Sequence, residues 1–267
     1  MQFSSYKAPC RLAGLRASVP RMQRAAFLVC ALAFVGCTRN PYLIGEQVRD
    51  AGVDECERAL ADAIACASFE DDDLASAWTA TTIVDGGALE RTTDPVHSGL
   101  GALHAATSAA DSIAVVSTEF EPLFSGTLFL RAYLWVPAAV PTETINIFFI
   151  GAEPEPDPFN GLDINLANGA LQIFSPQIVP ARQTGALQIP RDRWFCFRAQ
   201  LVIGEGDGTV DLFVDDQLAL TAQALDTLPA NGVFRLRAGV DWSSEQAELF
   251  EIYLDDLALD VAPIACD

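Results

Sequence analysis

In the stretch Thr127 to Val136, TLFLRAYLWV, every second residue is Leu, Ala or Val, and between them stand Phe129, Arg131, Tyr133 and Trp135. Residues two apart on a strand share a face. An arginine and three rings are therefore expected side by side on the face turned away from the core. That set could hold a ligand: a guanidinium grips carboxylates or sulfates through two parallel hydrogen bonds, and rings with a polar edge stack on sugar faces. Similar off-core residues recur. Thr144 to Gly151 sets Ile145, Ile147 and Phe149 against Asn146 and Phe148, and Val233 to Val240 sets Phe234, Leu236, Ala238 and Val240 against Arg235 and Arg237. Arg198 stands off the core face of a further strand. If these strands share one sheet, Arg131, Tyr133, Trp135, Asn146, Phe148, Arg198, Arg235 and Arg237 line one groove suited to a glycan with acidic groups. The competing arrangement pairs the arginines with cross-strand carboxylates and places Tyr133 and Trp135 under a loop.

The elements that must position these residues are strands. Arg193 to Leu220, RWFCFRAQLVIGEGDGTVDLFVDDQLAL, reads as a hairpin. Phe195, Phe197, Ala199, Leu201 and Ile203 alternate on the core side, Gly204, Gly206, Asp207 and Gly208 supply the turn, and Val210, Leu212 and Val214 resume the alternation. Further strands are expected over 113–120, 127–136, 144–151, 162–167, 170–174, 186–189, 217–221, 233–240 and 249–259. The proline-rich Glu153 to Gly161, EPEPDPFNG, cannot continue a strand. Asp54 to Ala65, with its acidic start and alanine-rich body, suits a short helix. From Cys66 onward the pattern is strand and turn throughout, which predicts one large all-β domain over 66–267.

Three places in that domain resemble the concanavalin A-like jelly roll, the fold of LamG modules, legume-type lectins, family 16 glycoside hydrolases and several polysaccharide lyases. They are Ser68-Phe69-Glu70-Asp71 with Trp78, Trp194 to Val214 followed by Asp215-Asp216, and Ile252-Tyr253-Leu254-Asp255-Asp256-Leu257. The first and last, with Ser98-Gly99 and Leu103, are also similar to jelly-roll carbohydrate-binding modules. The resemblance implies a two-sheet antiparallel jelly-roll sandwich. It further implies a structural calcium held by Glu70 near the first strand and Asp255 in the last, a chemistry that carboxylates from neighbouring strands suit. The E-x-D-x-x-E strand of family 16 hydrolases is absent; the nearest segment, Glu155 to Asn160, is interrupted by prolines and ends in an amide. A polysaccharide lyase needs a proton-abstracting base, commonly His or Tyr, beside a group that neutralises the uronate. Tyr133 with Arg131 could fill those roles, whereas His97 and His104, the only histidines, fall in an early segment expected to be turn or surface. Carbohydrate binding therefore ranks above lysis or hydrolysis, with a LamG-like protein-interaction module as the third reading.

The first 36 residues hold five of the 16 basic residues and none of the 36 acidic ones, and end in an apolar run from Ala25 to Val35. This is an export signal, and the run is shorter than the roughly 20 residues that span a membrane. Phe34-Val35-Gly36-Cys37 resembles the lipobox of bacterial lipoproteins, which implies cleavage before Cys37, acylation of its thiol, and an exported protein anchored to the bacterial envelope through lipid alone, with 37–65 as the linker. Loss of the leader moves the formal charge from −20 to −25, which disfavours nucleic acid as a partner. Cys56, Cys66, Cys196 and Cys266 remain, an even number in an exported chain, and predict two disulfides. Of the three pairings, Cys56 with Cys66 and Cys196 with Cys266 is favoured because the second bond ties the last strand to the central hairpin. Pairing Cys66 with Cys266 would instead join the domain's two ends.

Overall fold

The computed structural model describes residues 78–266 except 110, 139–143, 154–159 and 244–248, together with Cys56, Leu60, residues 62–71, Asp73 and Leu74. The leader over 1–36, Cys37 and half of the helix expected over 54–65 lie outside these residues; Cys56 is helical, but residues 62–64 form a turn and bend and Ala65 already opens a strand, so the expected helix does not reach its predicted end. The elements described here belong to the compact unit Glu46–Asp267.

Fifteen strands are described. They are β1 (Ala65–Ala67), β2 (Ala80–Val84), β3 (Ala88–Thr92), β4 (Ala102–Thr107), β5 (Ile113–Leu123), β6 (Gly126–Trp135), β7 (Ile145–Glu153), β8 (Asn160–Ala167), β9 (Ala170–Phe174), β10 (Arg182–Gln188), β11 (Trp194–Ile203), β12 (Gly208–Val214), β13 (Gln217–Leu225), β14 (Val233–Ser243) and β15 (Phe250–Asp260). The first sheet runs β13-β12-β11-β6-β15-β4-β3, with β1 also on β15, and the second runs β10-β9-β8-β7-β14-β5-β2. Every pairing is antiparallel. The protein is an all-β, two-sheet jelly-roll sandwich.

Alternation builds the interior. Leu128, Leu130, Ala132 and Leu134 of β6 join Phe195, Phe197, Ala199 and Leu201 of β11 and Ile252, Leu254, Leu257 and Leu259 of β15. They face Leu236, Ala238 and Val240 of β14 and Leu162, Ile164 and Leu166 of β8 from the other sheet. The turn from β12 to β13 is set by Asp215 and Asp216, both at positive φ, the geometry that two-residue hairpin loops require. The Asp215 carboxylate then accepts the Cys196 N–H at 3.0 Å, fastening the turn to β11.

Two expectations change here. Strands β2, β3 and β4 are not among those expected; β4 falls in the early segment read as turn or surface, and it lies between β15 and the edge strand β3 with Leu103 and Ala105 in the core. In β7 the register shifts between Asn146 and Phe148. The extra residue turns Phe148 inward, where it stacks on Phe197 with ring centroids 5.1 Å apart, and leaves Phe149 on the outer face. Phe148 is thus a core residue and not part of a groove. Phe149 lies over Gly151 and Gly161, where added Cβ atoms would come within 2.8 and 2.2 Å of its ring.

Candidate functional site

The sandwich has two outer faces, and the groove residues divide between them. Arg131, Tyr133, Trp135 and Arg198 belong to the first sheet, where Trp135 pairs with Trp194, Tyr133 with Cys196 and Arg131 with Arg198 across β6 and β11. Asn146, Arg235 and Arg237 belong to the second sheet. With Phe148 in the interior, the eight residues do not form one surface.

On the first sheet the covering arrangement prevails. The disulfide Cys196–Cys266 draws the C-terminal segment across the outer face, and Cys56–Cys66 forms the second bond, as favoured. Arg131 is 1 % exposed beneath that segment. It donates to the Ala265 carbonyl at 3.3 Å and the Asp256 carbonyl at 3.2 Å, with its guanidinium 5.7 Å from the Tyr133 ring centroid. Tyr133 is covered by His97, whose ring stacks on it at 3.4 Å, and Trp135 meets Trp194 edge-on at 6.0 Å. Arg198 pairs with Asp216 at 2.7 Å. His104 lies between Glu90 and Glu251 at 3.1 Å from each and stacks on Tyr253.

Glu70 and Asp255, the expected calcium ligands, both hold the turn 97–100. The Glu70 Oε2 accepts the Leu100 N–H at 2.7 Å, and only a glycine at 99 admits the carboxylate, since a Cβ there would sit 1.8 Å from Oε1. That Oε1 is buried and has no hydrogen-bond partner. Asp255, fully buried, accepts the N–H groups of His97 at 2.9 Å and Ser98 at 3.2 Å through Oδ2 and that of Asp256 at 2.8 Å through Oδ1. The Asp256 carboxylate meets the Ser98 hydroxyl at 3.0 Å and His97 Nδ1 at 2.8 Å. Burial, and next the charge of Asp256, push the Asp255 carboxyl up to about 8 against the pull of its three backbone donors. Among the described residues no three His, Cys, Asp or Glu side chains converge on one metal position.

The second sheet differs in kind. Its outer face carries a row that crosses five strands by register: Trp242 of β14, Asn146 of β7, Asn165 of β8, Gln172 of β9 and Thr184 of β10. Asn146 is 2 % and Asn165 3 % exposed, although both point away from the core. Gln172 donates to the Thr184 hydroxyl at 2.8 Å, and Asn165 donates weakly to Gln172 at 3.5 Å. The Oδ1 atoms of Asn146 and Asn165 are buried with no partner. Reversing the amides from Gln172 to Asn165 reverses the chain of bonds and still leaves the far end of Asn165 unmatched. A buried amide atom without a partner costs about 1–3 kcal/mol, so two of them side by side mark a place where the fold leaves hydrogen bonds to be completed. The neighbouring row runs Arg237, Phe149, Asp163, Phe174 and Arg182. Arg237 pairs with Asp241 at 2.8 Å, while Arg235, near the β5 edge, bonds Glu119 and Glu153.

Asn165, Gln172, Thr184, Arg182 and Trp242 were not singled out from sequence. The first two were within reach: in LDINLA, Asp163 and Asn165 alternate with Leu162, Ile164 and Leu166, and in ALQIF Gln172 is the one polar residue. Thr184 and Arg182 precede the start expected for β10, and Trp242 follows the end expected for β14.

No protein-family model matches the chain, and no curated protein does. Solved structures share its fold. An endo-β-1,4-glucuronan lyase from the fungus Trichoderma reesei aligns at a TM-score of 0.58 and 14 % identity, over 72 % of this chain and 94 % of that one. The cellulose induced protein Cip1 aligns at 0.53 and 16 %, over 73 % and 99 %. A carbohydrate esterase from the Shiga toxin-encoding bacteriophage phi24B aligns at 0.53 and 13 %, over 74 % and 97 %.

The position of Asp255 sets a pH dependence. Its folded carboxyl binds a proton more tightly than the unfolded chain's does at 3.8, so its contribution to stability is complete below about pH 4 and is lost as the pH rises toward about 8. In chelator, the difference in Tm between Asp255→Asn and the parent chain is expected to move in the variant's favour across that interval. A difference that stays constant from pH 4 to 8 would show that Asp255 titrates normally.

Proposed function

We propose that the protein binds a polysaccharide laid across the outer face of its second sheet. The observation that carries this reading is the pair of buried carboxamide oxygens without a hydrogen-bond partner, Oδ1 of Asn146 and of Asn165, in a polar row that ends at a half-exposed tryptophan. Sugar hydroxyls both donate and accept, so one pyranose can meet an amide on either of its atoms while its apolar face lies on a ring. The fold neighbours named for a glucuronan lyase, a cellulose-induced protein and a carbohydrate esterase support a glycan as the ligand class. Binding is favoured over β-elimination by the placement of the usual bases. Among the described residues His97, His104, Tyr133 and Tyr253 all lie on the first sheet's side.

The structural calcium belongs to the same proposal. Glu70, whose Oε1 is buried and unmatched, and Asp255, whose charge is disfavoured by burial and next by Asp256, would hold it, and the ion would supply the positive charge those carboxylates lack. Export and acylation at Cys37 complete the reading as an envelope lipoprotein. Metabolic labelling with an alkyne fatty acid should mark the parent chain and not Cys37→Ser; equal labelling would discard the anchor.

Affinity electrophoresis through gels cast with soluble polysaccharides tests the binding face. Asn165→Leu, close in shape but without the amide, is expected to lose retention by about tenfold or more while its Tm holds or rises, because the replacement removes an unmatched polar group. Unchanged retention in the variant, or no retention of the parent by any polysaccharide, counts against the proposal. For the metal, calcium at pH 8 should raise Tm and chelator should reverse it. Glu70→Gln is expected to weaken the response, and a Tm indifferent to calcium rules the site out.

A further inference from the structure

The eight arginines among the described residues show one exception. Arg91 donates to the Phe69 carbonyl, Arg131 to the carbonyls of Asp256 and Ala265, and Arg191 to that of Pro137. Arg193, Arg198, Arg235 and Arg237 pair with Asp215, Asp216, Glu119 with Glu153, and Asp241. Arg182 alone has neither a carbonyl nor a carboxylate. In a chain of formal charge −20, with 36 acidic residues to draw on, a cation left unpaired is the unusual case.

Its position adds to this. Arg182 is exposed on β10, two residues from Thr184 and on the same face, so the guanidinium borders the amide row at a spacing of about 7 Å along the strand. Its Cζ lies 5.1 Å from the centroid of the Phe174 ring, which steadies the side chain while leaving all five N–H donors unused. Asp163 lies on the same row, but Phe174 stands between it and Arg182.

We infer that the glycan carries an oxyanion substituent, a uronate carboxylate or a sulfate ester, and that Arg182 binds it while the adjoining amides meet the hydroxyls. This rests on the glycan-binding reading of the second sheet. The fork of a guanidinium matches two oxygens of either group. At 0.15 M salt, screening over about 8 Å confines the repulsion from the chain's other carboxylates to near neighbours, so a local cation can decide the preference.

The test uses the full chain with a β-1,4-linked polyuronate and its carboxyl-reduced, neutral counterpart, and with dextran sulfate beside dextran. The parent chain is expected to prefer one charged form over its neutral partner by about tenfold. Which pair shows the preference identifies the oxyanion. Arg182→Gln should equalise the two without changing affinity for the neutral form, and Arg182→Lys should restore part of the preference. Preference for the neutral form, or a charged preference that survives Arg182→Gln, overturns the role of Arg182 and leaves the glycan face standing if Asn165→Leu still loses the neutral ligand. Failure of all four polymers to bind overturns both. Tm should be the same in all Arg182 variants, since the side chain is exposed.

Discussion

Two stacked sheets share one apolar interior, and that shared interior governs everything else in the molecule. Each strand can bury only one of its faces, so a residue that points away from the core lies on one of two opposite sides, and strand pairing decides which. Strands β6, β11 and β15 turn Leu, Phe and Ile inward and carry Arg131, Tyr133, Cys196 and Asp255 on their other side. Strands β7, β8 and β9 do the same with Phe148, Ile164 and Leu171 inward and Asn146, Asn165 and Gln172 outward. The two outer faces then meet different ends.

The first is closed by covalent and ionic means. Cys196–Cys266 holds the chain's end over Arg131, and the turn 97–100 is held over Tyr133 by Glu70, Asp255 and Asp256. An arginine so enclosed is tolerated because backbone carbonyls accept from both of its terminal nitrogens, which offsets part of the several kcal/mol that a buried charge without partners would cost, although its Nε stays unmatched. The carboxylates of Asp255 and Asp256 are adjacent and similarly enclosed, and backbone N–H groups only partly offset their mutual repulsion. This face spends its polar groups on its own covering.

How far the sequence disclosed this depended on the kind of information involved. Period-two alternation exposed nearly every strand from β5 onward, because those strands have one strongly apolar face. It missed β2 to β4, whose faces are filled by Ala and Thr and give little contrast. It also misjudged β7, since INIFFI is apolar on both sides and nothing local signals the bulge that exchanges Phe148 for Phe149. The division of the arginines between two faces depended on which strands pair, which is a long-range property, so Arg131 and Arg235 could look like partners although a whole core separates them. The favoured disulfides emerged correctly because they rested on such a long-range argument, the tie between the last strand and the central hairpin.

What distinguishes the second face is incomplete bonding on a finished scaffold. Its backbone groups are paired along seven strands, so the floor is rigid, yet the side chains on that floor stop short of satisfying one another. Folding alone would not favour Asn at 146 and 165, because apolar residues of the same size would remove the penalty of the unmatched amides. The same holds for Arg182, which a chain rich in carboxylates could have paired as it paired Arg193, Arg198, Arg235 and Arg237. The proposed ligand, a chain of hydroxyls that also bears negative charge, would complete both the unmatched acceptors in the middle of the row and the unmatched cation beside it.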